Sequence, residues 1–195
     1  MNSLYSAISK KVIYLHILAA SLFIFPLQKL NAQAFEKGSQ VAGLGLGFGW
    51  IYHAGTFSNT TSFPSLLLQY DYGIMPVEGI GIASVGGVLG YKHIVSEADS
   101  SDFRQRWSNV IFAVRGALHV DLLQIDELDT YGGVLLGIRS EAIETNIQSV
   151  DNGNIIKPVF GIYAGVRYNL LPNIGLFAEA GLSISYLTLG ASFAF

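Results

Sequence analysis

The chain has 195 residues, with 14 acidic residues against 11 basic ones and no cysteine, which excludes disulfides, thiolate metal sites and a lipid anchor on cysteine. Hydrophobic residues make up 51% of it and 22 residues are glycine, yet nothing beyond the N-terminal region is long and unbroken enough to cross a bilayer as a helix. An apolar chain without helical spans points to the other way of crossing a membrane, alternating strands closed into a barrel.

The N-terminal region reads as an export signal. Lys10 and Lys11 precede the apolar run 12–27, which is followed by Asn31-Ala32-Gln33-Ala34, small residues spaced for a signal peptidase. The run is broken by Pro26 and falls short of the ~18 apolar residues a helical span needs. The expected organisation is a signal peptide over 1–32 and one domain over 33–195, with cleavage after Ala32 or Ala34. That domain carries eight basic against 14 acidic residues, a formal charge of −6, which speaks against nucleic acid as a partner.

Period-two alternation then predicts eight strands, at 39–51, 63–74, 80–92, 109–120, 129–141, 157–169, 174–182 and 186–195. The connections 75–79, 121–128 and 170–173 are compact, whereas 52–62, 93–108 and 142–156 are longer and polar. This asymmetry suits the periplasmic and outer ends of an outer-membrane barrel. The first strand would run outward and leave both termini in the periplasm. In that strand Gly43, Gly45, Gly47 and Gly49 alternate with Leu44, Leu46, Phe48 and Trp50, so the glycines face inward and the bulky residues face lipid. Parity also turns Asp71, Arg115, His119, Arg139, Glu141, Arg167 and Glu179 inward. A lysine or arginine facing mid-bilayer would cost roughly 2–4 kcal/mol. The strand at 80–92 is ambiguous: Lys92 puts Ile82 and Val88 inward, but the opposite phase fits nearly as well. Trp50, Phe63 and Tyr186 fall near the outer end, and Tyr70, Tyr72, Tyr168 and Phe195 near the other, as two interface girdles.

The last strand, Tyr186 to Phe195, places Leu187, Leu189, Ala191, Phe193 and Phe195 on one oily face and runs to the final residue. A soluble domain rarely leaves such an edge bare, so it is expected to pair with 39–51. The first strand, the run Phe177-Ala-Glu-Ala-Gly-Leu182 and the closing aromatic resemble the small bacterial outer-membrane β-barrel family of OmpA/OmpX-like, "porin family" type, over essentially the whole mature chain. The resemblance implies an all-β, eight-stranded antiparallel up-and-down transmembrane barrel in the bacterial outer membrane. It also implies that Phe195 helps the barrel-assembly machinery recognise the chain.

Other motifs are weak. Gly43 to Gly49 has a spacing of two throughout and does not fit a dinucleotide turn. Asp151-Asn152-Gly153-Asn154 reads as a turn rather than a calcium loop, because the later ligands are missing. Asn59-Thr60-Thr61 is a formal glycosylation sequon without weight in a bacterial envelope protein. His53 with Ser58, and His93 with Ser96 and Glu97, lie where a lipid A-modifying enzyme would act, but no enzyme motif is matched residue by residue. The sequence therefore predicts a non-enzymatic protein without cofactor or metal. An eight-stranded lumen is only wide enough for side chains to fill. Asp71, Arg115, Arg139, Glu141, Arg167 and Glu179, with Gln69 and Tyr163, are expected to form a lumenal charge network in which Glu179 bridges an arginine, Arg115 in the first place. The function expected is structural or surface-interacting, as a monomer in outer-membrane lipid, with an extracellular partner for loops 52–62, 93–108 and 142–156. Loop 93–108 carries Glu97, Asp99, Asp102, Phe103, Arg104, Arg106 and Trp107 as a contact surface. The alternatives are a narrow pore, a lipid A-modifying barrel enzyme, and a secreted soluble barrel with oily residues inside.

Overall fold

The computed structural model describes residues 35–49, 59–97, 104–145 and 153–195. Residues 1–32, expected as a signal peptide, and Trp50, His53, Ser58, Asp99, Asp102, Phe103, Asp151 and Asn152 lie outside the described residues. The strands are β1 (Gln40–Phe48), β2 (Asn59–Ser62), β3 (Ser65–Val77), β4 (Gly81–Glu97), β5 (Arg104–Val120), β6 (Leu128–Thr145), β7 (Gly153–Leu171), β8 (Ile174–Leu182) and β9 (Leu187–Ala194). β2 and β3 pair with the same strand, Ser62 opposite Ile94 and Leu66 opposite Tyr91. They are one stave interrupted at Phe63-Pro64, where proline has no N–H to give the ladder.

The eight staves form a closed antiparallel ring in the order β1, β3, β4, β5, β6, β7, β8, β9 and back to β1. The closing pair is the expected one: Val41 lies opposite Ala194 and Phe48 opposite Leu187. Its ladder saturates the backbone of both terminal strands, so no edge is left there.

The side chains are sorted inside out. Phe160 is 68% exposed and Leu136 66%, whereas Arg115 is 2%, Asp71 1% and Arg167 3% exposed. Alternation along each strand produces this: Leu44, Leu46 and Phe48 face outward and Gly43, Gly45 and Gly47 inward, and β5 to β9 follow the parity read from sequence. A soluble ligand-binding barrel would show the reverse sorting. The ambiguous strand, β4, takes the phase with Val88 and Lys92 inside and Leu89 and Tyr91 outside. The aromatics Phe63 and Tyr186 are exposed toward one rim, and Tyr70, Tyr72 and Tyr168 toward the other.

Two expectations change. The segments 93–108 and 142–156, expected as long loops, are largely strand: β4 continues to Glu97 opposite Arg104 of β5, and β6 continues to Thr145 opposite Gln105. Strand pairing persists there while the hydrophobic alternation stops, because both faces of a ladder outside hydrocarbon can be polar. Trp107, expected on the outer contact surface, is instead turned inward and buried. By contrast, β1, β8 and β9 are short, and β7 meets β8 only from Ile162 onward, opposite Leu182. Among the described residues Gly153–Gly161 has no strand partner on that side, roughly 30 Å of strand at about 3.3 Å per residue. The long-loop rim is therefore oblique, and β2 with β4 to β7 stands out beyond β8, β9 and β1.

Leu136 faces outward near mid-wall, opposite Val114 and Phe160. Leu136→Lys is expected to lower stability in lipid vesicles by about 2–4 kcal/mol, measured by urea unfolding; an unchanged midpoint would place this face away from hydrocarbon.

Candidate functional site

Five strands aim polar side chains into the lumen at one level. Gln69 and Asp71 come from β3, Arg115 from β5, Tyr131 from β6, Tyr163 and Arg167 from β7, and Glu179 from β8. Arg115 is the hub. Its Nη2 donates to Glu179 Oε1 at 2.7 Å, its Nη1 to Gln69 Oε1 at 2.7 Å, and its Nε to the Tyr163 hydroxyl at 2.9 Å. Asp71 Oδ1 lies 3.1 Å from the same Nε. Because that N–H is aimed at Tyr163, the Asp71 contact is an ion pair without hydrogen-bond geometry. Glu179 also accepts from the Tyr131 hydroxyl at 2.9 Å and from Gln69 Nε2 at 3.2 Å.

Arg167 extends the network toward the short-turn end. Its Nη1 donates to Asp129 Oδ2 at 2.8 Å and its Nη2 to Asp71 Oδ2 at 3.4 Å, so Asp71 lies between two guanidiniums. The arginine side chains also flank the tyrosines, with Arg115 Cζ 4.2 Å from the Tyr163 ring centre and Arg167 Cζ 5.2 Å from that of Tyr131. Glycine makes the room. Gly165 lies opposite Tyr131 and Gly133 opposite Tyr163 across the β6–β7 ladder. A Cβ on Gly165 would stand 2.7 Å from Tyr131 Cζ.

Four of the six residues singled out in the sequence thus meet: Asp71, Arg115, Arg167 and Glu179. Arg139 and Glu141 do not join them. They pair with each other at 2.9 Å toward the long-loop end, with Lys157 3.7 Å from Glu141 and Asn109 3.4 Å from Arg139. Between the two groups lies an apolar layer of Leu67, Val88, Ile111, Leu135, Val159 and Ile184. The sequence reading missed this layer and also Asp129, although parity with Tyr131 and Arg139 on β6 points Asp129 inward. Phe195 directly follows β9. Among the described residues no group of three or more His, Asp or Glu is placed to hold a metal ion.

No protein-family model and no curated protein matches the chain. Solved structures of similar fold include two with TM-scores of 0.51 and 0.50. One is Ail, the attachment invasion locus protein of Yersinia pestis, in complex with the heparin analogue sucrose octasulfate, with TM-score 0.51 and 17% identity over 83% of this chain and 100% of that one. The other is the N-terminal β-barrel domain of Pseudomonas aeruginosa OprF, with TM-score 0.50 and 15% identity over the same shares. The chain thus has the fold of the small outer-membrane barrels that its first and last strands resemble.

Glu179→Ala leaves Arg115 with one carboxylate and strands two donors. It is expected to cost about 3–5 kcal/mol, as for other buried pairs broken on one side. Gly165→Val is expected to cost about 1–3 kcal/mol by forcing Tyr131 off Glu179. Urea unfolding followed by tryptophan fluorescence measures both.

Proposed function

We propose that the protein is an integral outer-membrane barrel with a structural and surface-contact role, its lumen closed by paired side chains. The observation that carries this reading is the combination of an oily outer wall with a strand extension at one rim only. The wall fits outer-membrane lipid. The extension, β2 with β4 to β7, is the part that would meet an extracellular partner, and the short-turn end would face the periplasm with both termini.

The chemistry of the extension indicates what it suits. Register places Arg104 opposite Glu97 and Arg106 opposite Glu144, and Lys157 lies beside Glu141. Ail is seen with a polyanion; here Lys157 lies 3.7 Å from Glu141 and Arg106 shares a register position with Glu144, which favours a partner surface of mixed charge. Ile155 and Ile156 add exposed apolar area. Lys157 and Pro158 on the same strand discourage indiscriminate strand addition, so side-chain faces rather than the bare edge are the expected contact.

The narrow-pore alternative meets the apolar layer of Leu67, Ile111, Leu135 and Val159, which offers an ion nothing in exchange for its hydration. Planar-bilayer recordings are expected to show no channel events for the wild type or for Glu179→Ala; events in either would restore the pore. The lipid A-modifying alternative would need an oriented His–Ser pair near the outer leaflet. His93 Nδ1 does lie 3.1 Å from Ser108 Oγ, but among the described residues no carboxylate is hydrogen-bonded to that imidazole.

The absence of cysteine makes orientation directly testable. In intact cells Asn154→Cys is expected to react with a membrane-impermeant maleimide and Asp126→Cys only after lysis; the opposite pattern would invert the barrel. We also propose Phe195 as the assembly signal. Its deletion is expected to reduce the heat-modifiable, membrane-inserted fraction in cells while the purified chain still refolds in detergent. Equal insertion with and without Phe195 would remove that role.

A further inference from the structure

At the short-turn end of the lumen, three neighbouring strands set a serine, a histidine and an aspartate in a row. Ser84 is on β4, His119 on β5 and Asp129 on β6, and all three are buried. The register explains the row. Ser84 pairs with Ala117 and Ile82 with His119, while His119 pairs with Tyr131, so each member lies diagonal to the next on the lumenal face. Ser84 Oγ is 3.0 Å from His119 Nε2, and His119 Nδ1 is 2.8 Å from Asp129 Oδ1. The second oxygen of Asp129 is held by Arg167 Nη1 at 2.8 Å.

These partners assign the proton positions. A carboxylate at Nδ1 holds the N–H there and leaves Nε2 as an acceptor aimed at the Ser84 hydroxyl. The other acceptor near Ser84, the Ala117 carbonyl, is at 3.5 Å and is the weaker partner. Nucleophile, base and orienting acid therefore stand in the order and at the distances that nucleophilic acyl transfer requires.

Two further observations mark a place for a substrate. Phe35 stacks flat on the His119 imidazole, ring centres 3.7 Å apart and planes 10° apart, and fills the space beside the base. The segment that carries it is laced to β3, with the Gly38 N–H donating to Gly73 O and the Gly73 N–H to Ser39 O, both at 2.9 Å. The Arg167 guanidinium carbon lies 5.8 Å from the Phe35 ring centre, and the buried Nε–H of Arg167 has no acceptor among the described residues. An aromatic group in the position of Phe35 would bring an attached carbonyl or phosphoryl oxygen toward that unoccupied donor.

We propose that Ser84 is an activated nucleophile for small aryl esters, latent beneath Phe35 as a displaceable lid. This goes beyond the structural and surface role above and does not depend on it. Ser84 Oγ would attack the carbonyl carbon and pass its proton to His119 Nε2, while Asp129 balances the imidazolium. Collapse of the tetrahedral adduct would break the bond to the aryl oxygen, which leaves with the proton from His119 and gives acyl-Ser84 and the phenol. Water, deprotonated by the same imidazole, would then release the acid and restore Ser84. No redox partner is needed. The competing view is a static hydrogen-bonded chain that only holds β4, β5 and β6 together.

The test uses the mature barrel refolded in detergent, treated with diisopropyl fluorophosphate and mapped by peptide mass spectrometry, with release of nitrophenol from p-nitrophenyl acetate as a second readout. The expected result is a single adduct on Ser84, absent in Ser84→Ala and formed about 100-fold or more slowly in His119→Asn, the usual contribution of a general base. Phe35→Ala is expected to speed labelling about tenfold, as the open fraction rises. Phe35→Leu, which keeps an apolar seal but removes the stacking, serves if the alanine variant does not refold. Absence of a Ser84 adduct in the wild type and in the folded Phe35 variants would overturn the proposal, as would labelling of Ser84 that is indifferent to His119→Asn. Folding is judged by gel heat-modifiability, and a purely structural chain would change that readout without producing any adduct.

Discussion

A strand ladder immersed in hydrocarbon has to satisfy every backbone N–H and C=O within itself, and the pairing of β1 with β9 is where this chain meets that demand. Without it, the oily strand ending at Ala194 and the glycine-rich strand beginning at Gln40 would both present bare edges to lipid. Once the ring is closed, the remaining features follow. The wall has two faces, alternation assigns each residue to one of them, and an eight-stranded circumference leaves inside only the volume of the side chains.

That narrow interior dictates its own chemistry. Arg115 and Arg167 are buried as deeply as any leucine in a soluble core, so each must meet carboxylates, and Asp71 lies between the two. Glu179 is matched by one guanidinium, one amide and one phenol. The tyrosines that complete the network reach across the lumen only because glycines stand opposite them on the neighbouring strand. The apolar layer above this group lets the charges on either side pair locally, without competing for one another across the whole length of the barrel.

Much of this is legible in the sequence alone. The period of two in 43–50 and in 187–195 states which face is oily, and the charges in the strands fall on the opposite parity because a charge in hydrocarbon is too costly to persist. The meeting of Arg115 with Glu179 was legible for the same reason: a buried charge needs a partner, and few were on offer. Other features were not. The strand extension in 93–108 and 142–156 carries no alternation, since both of its faces tolerate polar residues, and Trp107 gave no local sign of turning inward. Phe35 precedes the first strand and has no periodicity to reveal that it stacks on His119.

The sequence by itself determined that this chain builds a barrel of alternating strands with an oily outer face and that its strand charges face inward, because both depend on composition and on the local geometry of an extended chain. Tertiary structure alone decided which inward residues meet. Parity assigns a face, but register and strand order assign neighbours, and those depend on ladders between residues far apart in the chain. Arg139 and Glu141 were separated from Arg115 in this way, Asp129 was joined to Arg167 and His119, and Ser84 was brought to the one imidazole in the lumen among the described residues.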